Sequence, residues 1–153
     1  MRNTILGLLG VFALFAAIPV SAGDVPRGFM GIDELAAAQA KAKEANKLVV
    51  VVAKGSDDAC PHCVATMEIG IKATRGDAIM VFTRVADLRS NAAAPAKLKE
   101  ISATAADGAS VYFYAFNSDM TELIASAGRE LETDKEALKE FKKLIDEARK
   151  KLK

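Results

Sequence analysis

Cys60 and Cys63, the only two cysteines among 153 residues, are separated by Pro61 and His62. The uninterrupted apolar run at 48–53 predicts a buried strand shortly before this motif, and a helical pattern begins at the motif itself. A Cys-x-x-Cys pair that follows a strand and opens a helix is typical of a redox-active dithiol. The spacing therefore predicts that Cys60 and Cys63 alternate between a disulfide and two thiols.

The position of the motif at a helix start predicts different roles for its residues. Pro61 suits the first helical position, so Cys60 is expected to be the N-cap. The free N–H groups of His62 and Cys63, with the helix dipole, would then stabilise a thiolate and lower the pKa of Cys60. His62, as a cation or dipole close to that thiolate, would make the disulfide more oxidising. We expect Cys60 to attack substrates, Cys63 to resolve the mixed disulfide, and His62 to assist.

Charged residues in the preceding loop are expected to act on the same thiol. Asp57 and Asp58 bring negative charge, which raises the pKa of a nearby thiol. Two roles are open to Lys54 at the end of the predicted strand. It offsets these carboxylates, or it is simply a solvated strand end, which is the more common situation and the one favoured here.

Other uses of the two cysteines have less support. A disulfide across three residues closes too small a loop to restrain the unfolded chain much. A c-type haem would need His directly after Cys63, where the sequence has Val64. Capture of Cu(I) or zinc by Cys60 and Cys63, completed by a third ligand, is left open as an alternative. For the redox function itself, no cofactor and no metal are expected.

The N-terminal residues have the pattern of a secretory signal. Arg2 is the only charge before Asp24, and the apolar stretch between them ends in small residues just before Gly23. This pattern predicts a signal peptide over 1–22. An uncleaved membrane anchor is the alternative, but a proline and small residues near the end of the stretch favour cleavage. We therefore expect a mature chain without stable membrane insertion, exported to a periplasm, where disulfides persist.

Composition limits the classes of partner. The chain has 21 Lys and Arg against 20 Asp and Glu, so its formal net charge is +1, a balance that argues against nucleic-acid binding. A single His excludes zinc sites built from three imidazoles. The basic residues at 149–153 suit a helix C-terminus. The expected partners are protein thiols and disulfides and an unidentified redox partner, and a monomer is expected.

Apolar periodicity and turn residues predict one α/β domain over 32–153, after an N-terminal extension over 23–31. A capping box of Thr133 and Glu136 marks the start of the last helix. Strand 48–53 is apolar on both faces, which predicts a three-layer fold with a central mixed sheet of about four strands flanked by helices. The other predicted helices are 32–46, 60–73 and 95–101, and the other strands are 79–85, 111–116 and 121–126.

This order of elements, with a Cys-x-x-Cys helix directly after a central strand, resembles the thioredoxin fold over about residues 32–152. The pair Pro61 and His62 is similar to that of the periplasmic dithiol oxidases of the DsbA type. Gly128 stands where thioredoxin-like proteins usually carry a glycine beside the site. The resemblance implies that the chain is a thioredoxin-like protein of the thiol–disulfide oxidoreductase type.

Ser110 marks a departure from the thioredoxin pattern, because it stands where the family has a cis-proline before the third strand. A cis bond before a residue other than proline costs about 3 kcal/mol or more, so we expect a trans bond or a rearranged loop. The Ser110 hydroxyl is a candidate hydrogen-bond donor to the Cys60 thiolate, which would lower its pKa. Ser110 and Pro61 are therefore predicted to be supporting residues of the site.

The sequence thus predicts an exported thiol–disulfide oxidoreductase that exchanges disulfides with protein substrates through the pair Cys60 and Cys63. The alternative is a thioredoxin-fold binding module, which would handle a metal such as copper or dock a partner without general disulfide exchange.

Overall fold

The computed structural model describes residues 25–152. The predicted signal peptide at 1–22 lies outside these residues, as does the start of the predicted extension. Within 25–152, no helix combines the length and the apolar character needed to cross a lipid bilayer. The described residues form a mixed sheet with helices on both of its faces.

The strands are β1 (Met30–Gly31), β2 (Leu48–Lys54), β3 (Ala78–Arg84), β4 (Val111–Phe116) and β5 (Leu123–Ala127). Their spatial order is β1-β3-β2-β4-β5. β1 and β2 both pair with β3 in parallel, whereas β4 is antiparallel to β2 and to β5, which confirms the predicted mixed sheet. The fifth strand, β1, comes from the predicted extension. Two residues are too few to show a periodic pattern, so the sequence does not predict this strand.

The helices are α1 (Leu35–Glu44), α2 (Pro61–Thr74), α3 (Val85–Ser90), α4 (Ala96–Ser102), α5 (Glu130–Thr133) and α6 (Lys135–Lys151). A 3₁₀ turn at Ile32–Glu34 precedes α1, so the first predicted helix begins with a tighter turn. Helices α3 and α5 were not predicted. They have 6 and 4 residues, fewer than two helical turns each, which is too short for an apolar residue pattern to repeat.

The centre of the sheet explains the three layers. Every residue of β2 is buried. Val50 and Val52 contact an apolar cluster with α2 and α6, whereas Val49 and Val51 contact a second cluster with α1, α3 and α4. Burial of one such side chain stabilises the fold by about 1.5–3 kcal/mol. The predicted three-layer arrangement around a two-sided strand is therefore confirmed.

The start of α6 differs from the predicted capping box by one residue. Asp134 is the N-cap, and its carboxylate accepts hydrogen bonds from the backbone N–H groups of Glu136 and Ala137. Thr133, the predicted cap, is instead the last residue of α5. The prediction of Thr133 was wrong because Asp, which stands next to it in the sequence, is the better N-cap residue.

A glycine sets how closely α2 approaches the sheet. A Cβ atom at Gly70 would lie 2.2 Å from Cζ of Phe113, which is fully buried in β4. Any larger residue at position 70 would push α2 away from β4. Because the motif forms the start of α2, this contact also determines where the two cysteines lie.

Candidate functional site

Cys60 and Cys63 lie at disulfide distance at the start of α2, and their Cα atoms are 5.3 Å apart. Cys60 is the N-cap and Pro61 is the first helical residue, as predicted. The backbone N–H of Cys63 donates a hydrogen bond to Sγ of Cys60 at 3.2 Å. Cys60 is 8% exposed and Cys63 3%, so the N-cap sulfur belongs to the more accessible of the two residues. The sulfur of Cys60 thus lies where a helix N-terminus stabilises negative charge.

The loop before the motif is fixed against the loop before β4. The N–H of Gly55 donates to the carbonyl of Ser110 at 2.9 Å, and the N–H of Asp57 donates to the carbonyl of Gly108 at 3.1 Å. A Cβ atom at Gly55 would lie 2.2 Å from the Gly108 carbonyl oxygen, so a side chain would force these two loops apart. The carboxylate of Asp107 adds a third link by accepting a hydrogen bond from the N–H of Ser56 at 2.8 Å, so Ser110 is held against the loop that leads to the motif.

Two cations beneath this loop bind one carboxylate. The ammonium of Lys54 donates to Oδ1 of Asp58 at 2.5 Å and to the carbonyl of Asp57 at 3.0 Å. Both terminal nitrogens of the Arg84 guanidinium donate hydrogen bonds to the same carboxylate, at 2.8 and 3.2 Å. Arg84 also donates to the carbonyl of Gly55 at 3.0 Å. The loop that leads to Cys60 is thus tied to the ends of β2 and β3.

This cluster corrects the preferred interpretation of Lys54. The residue is only 8% exposed, so it is not a solvated strand end, and its ammonium does offset an acidic residue of the loop. Hydrogen bonds from Arg84 and then from Lys54 lower the pKa of Asp58 to about 2. The charge of Asp58 is therefore compensated locally, which weakens its opposition to a Cys60 thiolate.

His62 is held by Glu132, a residue that was not predicted from the sequence to belong to the site. Its Nδ1 lies 2.9 Å from Oε1 of Glu132 in α5, and its side chain is 55% exposed. The second oxygen of Glu132 accepts a hydrogen bond from the hydroxyl of Thr66 at 3.4 Å. The hydrogen bond from His62 is the main cause that lowers the pKa of Glu132 below its ordinary value. One carboxylate therefore links α5 to two successive turns of α2.

Ser110 is placed next to the motif loop, but its hydroxyl is engaged elsewhere. The hydroxyl donates to the carbonyl of Ala106 at 2.5 Å. No peptide bond in the described residues is cis, so the bond at this position is trans, as expected for a residue other than proline. With the cysteines at disulfide distance, the Ser110 hydroxyl thus closes a turn of its own loop, and its carbonyl holds the loop before the motif.

A surface cavity of about 470 Å³ is lined by the loop that carries Ser110, by β4 and β5, and by the residues that follow β5. Gly128 also lines this cavity, where a Cβ atom would lie 3.3 Å from the carbonyl oxygen of Val111. Tyr112 adds one aromatic wall, and its hydroxyl oxygen accepts a hydrogen bond from the N–H of Ala106. The structure therefore brings the predicted residues Ser110 and Gly128 together at one concave surface.

Two residues of the site, Arg84 and Glu132, were not predicted from the sequence, and only Arg84 had a recognisable signal. Lys54 and Arg84 are direct neighbours in the parallel pairing of β2 and β3, where both strands end in a cation. Such ends meet at one edge of a sheet, so the pairing could have been anticipated. Glu132 gave no such signal, because it lies 70 residues from His62 in sequence and in a helix too short to predict.

No group of three or more His, Cys, Asp and Glu side chains within residues 25–152 is arranged to hold a metal ion. The arrangement that is present can perform sulfur chemistry: a cysteine at a helix N-terminus, a second cysteine at disulfide distance, and a histidine between them in the first turn of the helix. Comparison of the chain with known protein families, with curated proteins and with solved structures finds no significant match. The chemistry of these side chains is therefore the basis for assigning a function.

Proposed function

We propose that the protein is an exported, thioredoxin-like thiol–disulfide oxidoreductase that acts on protein thiols and disulfides. The single observation that carries this proposal is the position of Cys60. Its sulfur is the N-cap of α2 and accepts a hydrogen bond from Cys63 N–H, while Cys63 itself lies at disulfide distance. A helix N-terminus lowers the pKa of a cysteine, and a low-pKa thiolate next to a second thiol is what disulfide exchange requires.

Exchange in the oxidising direction begins with a substrate thiolate that attacks Sγ of Cys60. A substrate–Cys60 bond forms, the Cys60–Cys63 bond breaks, and Cys63 leaves with the electron pair as a thiolate. A second substrate thiolate then attacks the substrate sulfur of this mixed disulfide and releases Cys60. Two electrons and two protons pass from the substrate dithiol to the motif. The reverse sequence reduces a substrate disulfide, and a separate dithiol or disulfide partner restores the starting state.

The structural asymmetry of the pair supports the assignment of roles. Cys60 is the more exposed residue and carries the stabilising hydrogen bond, so it is the sulfur that forms the mixed disulfide. Cys63 lies inside the first turn and is the resolving thiol. Pro61 supports this arrangement by starting the helix directly after Cys60.

A trapping experiment tests the proposal. Without the resolving thiol, the Cys63→Ser variant should accumulate a covalent adduct with cellular proteins, visible as reducible bands on a non-reducing gel and identified by mass spectrometry. Cys60→Ser is the matched control and should form none. The absence of an adduct from both variants, together with failure of the wild type to reduce or oxidise model disulfides, would contradict the proposal. If the reduced protein then binds Cu(I) or zinc tightly and stoichiometrically, the metal-binding alternative replaces the oxidoreductase proposal.

Export and oligomeric state are further parts of the same proposal. The pattern over 1–22 supports export, because an apolar segment with a basic start and small residues at its end is a secretory signal. Fractionation of expressing bacteria should recover the protein in the periplasm, with an N-terminus at Gly23 by mass spectrometry. A protein that stays in the cytosol at full length would contradict export. Sedimentation should give the mass of one chain.

The redox potential of the Cys60–Cys63 pair decides the direction of electron flow. A value near about −120 mV is that of a disulfide donor, and one near about −270 mV is that of a reductant. Equilibration with glutathione buffers of graded composition measures it directly.

A further inference from the structure

Glu132 contacts the helix that carries the motif, but it has no role in the proposed steps of disulfide exchange. It reaches from α5 to the motif, with Oε1 at 2.9 Å from Nδ1 of His62 and Oε2 at 3.4 Å from the hydroxyl of Thr66. The Glu132 side chain is 21% exposed, compared with 55% for His62. The more enclosed carboxylate thus holds the more exposed imidazole, and both of its oxygens are engaged on α2.

This contact determines which ring nitrogen of His62 carries a proton. A carboxylate accepts hydrogen bonds and cannot donate them, so Nδ1 must be the protonated nitrogen in a neutral ring. The lone pair is then on Nε2, which forms no hydrogen bond within the described residues. Nε2 is therefore the ring nitrogen that can accept a proton, and the carboxylate on the other side holds the ring in its orientation.

One cation besides His62 also acts on Glu132 among the described residues. Arg129, in the turn before α5, is the remaining charged residue whose field lowers the pKa of Glu132. Glu130, on the same helix, is turned away, since its Oε1 accepts a hydrogen bond from the N–H of Gly128 at 2.7 Å. The carboxylate of Glu132 is thus the negative charge in direct contact with the imidazole.

We propose that Glu132 is a positioning residue of disulfide exchange, which holds His62 so that Nε2 acts as the proton acceptor for an incoming thiol. This inference rests on the proposed oxidoreductase function. When a thiol attacks Cys60, its proton passes to Nε2, its sulfur bonds to Sγ of Cys60, and the Cys60–Cys63 bond breaks. The electron pair of that bond goes to Cys63, which takes the proton from His62 to give a neutral thiol.

The rate of reaction between the oxidised protein and reduced glutathione tests this role as a function of pH. Near pH 7 the attacking thiol is mostly protonated, because its ordinary pKa is about 8.5, and a proton acceptor accelerates the attack. Above about pH 9.5 most of the thiol is already a thiolate, and the acceptor is not needed. Glu132→Gln should therefore slow the reaction about two- to fivefold near pH 7, the effect expected for a solvent-accessible ion pair, and leave it unchanged at high pH.

Two further variants separate positioning from a general effect. In a His62→Ala background, Glu132→Gln should have no effect on the rate at any pH, because the residue acts only through the imidazole. Glu130→Gln is the matched control. It removes one negative charge from the same helix and keeps an oxygen for the Gly128 N–H, so its rates should equal those of the wild type.

Nitrogen NMR of His62 in the oxidised protein provides a measurement that does not depend on activity. The neutral ring should carry its proton on Nδ1 in the wild type and in Glu132→Gln, which retains an acceptor oxygen. In Glu132→Ala the proton should move to Nε2. A wild-type ring protonated on Nε2, or a rate loss in Glu132→Gln that is equal at all pH values, would overturn the inference. An inert wild type with the expected tautomer would instead contradict the proposed function.

Discussion

The ammonium of Lys54 and the carboxylate of Asp58 lie 2.5 Å apart, although the Lys54 side chain is 10% exposed and that of Asp58 is 69% exposed. Lys54 is buried at the end of β2, and the exposed carboxylate of Asp58 supplies its counter-charge. Arg84 completes the cluster from the neighbouring strand. This arrangement fixes the loop before the motif and predicts how acid affects the fold.

Asp58→Asn should change the dependence of stability on pH. The carboxyl has a pKa of about 2 in the fold, below its ordinary value of 3.8. A lowered pKa means that its contribution to stability is fully present above the ordinary value and is lost as the pH falls through about 2. Urea unfolding should show a wild type that is more stable than Asp58→Asn above pH 4, with a difference that shrinks below it. A difference that stays constant down to pH 2 would contradict the assignment, and Asp87→Asn, at an exposed carboxylate of α3, is the control.

Gly70→Ala should destabilise the fold, whereas Gly76→Ala should have little effect. The added methyl at position 70 would lie 2.2 Å from the ring of Phe113, while no atom lies within 4 Å of a methyl at position 76. Overpacking of this kind costs about 1–3 kcal/mol, and the better helix propensity of Ala returns at most about 1 kcal/mol. Urea unfolding of the two variants measures the difference. Equal stabilities would show that α2 moves away from the sheet without cost.

Ser110→Ala should leave the pKa of Cys60 unchanged. A hydroxyl has a single hydrogen to donate, and that of Ser110 goes to the carbonyl of Ala106. The pH dependence of thiolate absorbance near 240 nm, or of alkylation by iodoacetamide, reports the pKa in the reduced protein. A higher pKa in the variant would show that the hydroxyl turns to the sulfur on reduction, which is the role predicted from the sequence.

Asp134→Ala and Thr133→Ala should have different effects on stability. Asp134 caps α6 through two backbone N–H groups, so its loss should cost about 1 kcal/mol of unfolding free energy. The Thr133 hydroxyl has only one long contact, 3.5 Å to the carbonyl of Arg129, and its loss should cost little. Thermal unfolding of the two variants ranks them, and the opposite order would restore the capping box predicted from the sequence.

Local signals made the motif and the main layers predictable. Pro61 beside Cys60 marks a helix start without any knowledge of the rest of the chain, and the run at 48–53 shows a strand that is buried on both faces. The partners of these residues depended on tertiary contacts. Glu132 meets His62 only because α5 turns back onto α2, and neither the turn nor the short helix leaves a periodic pattern in the sequence.

The hydrogen bond from Cys63 N–H to the N-cap sulfur has a thermodynamic consequence. The helix start that stabilises a thiolate exists only in the folded chain, so unfolding removes that stabilisation from the reduced protein. Folding and oxidation form a thermodynamic cycle. The free energy by which the folded pair is more oxidising than the unfolded pair therefore equals the free energy by which the reduced protein is more stable to unfolding than the oxidised protein. An oxidising pair therefore means a reduced protein that melts at the higher temperature. For the proposed exchange, two melting curves, recorded with and without reductant, would indicate the direction of electron flow before any substrate is known.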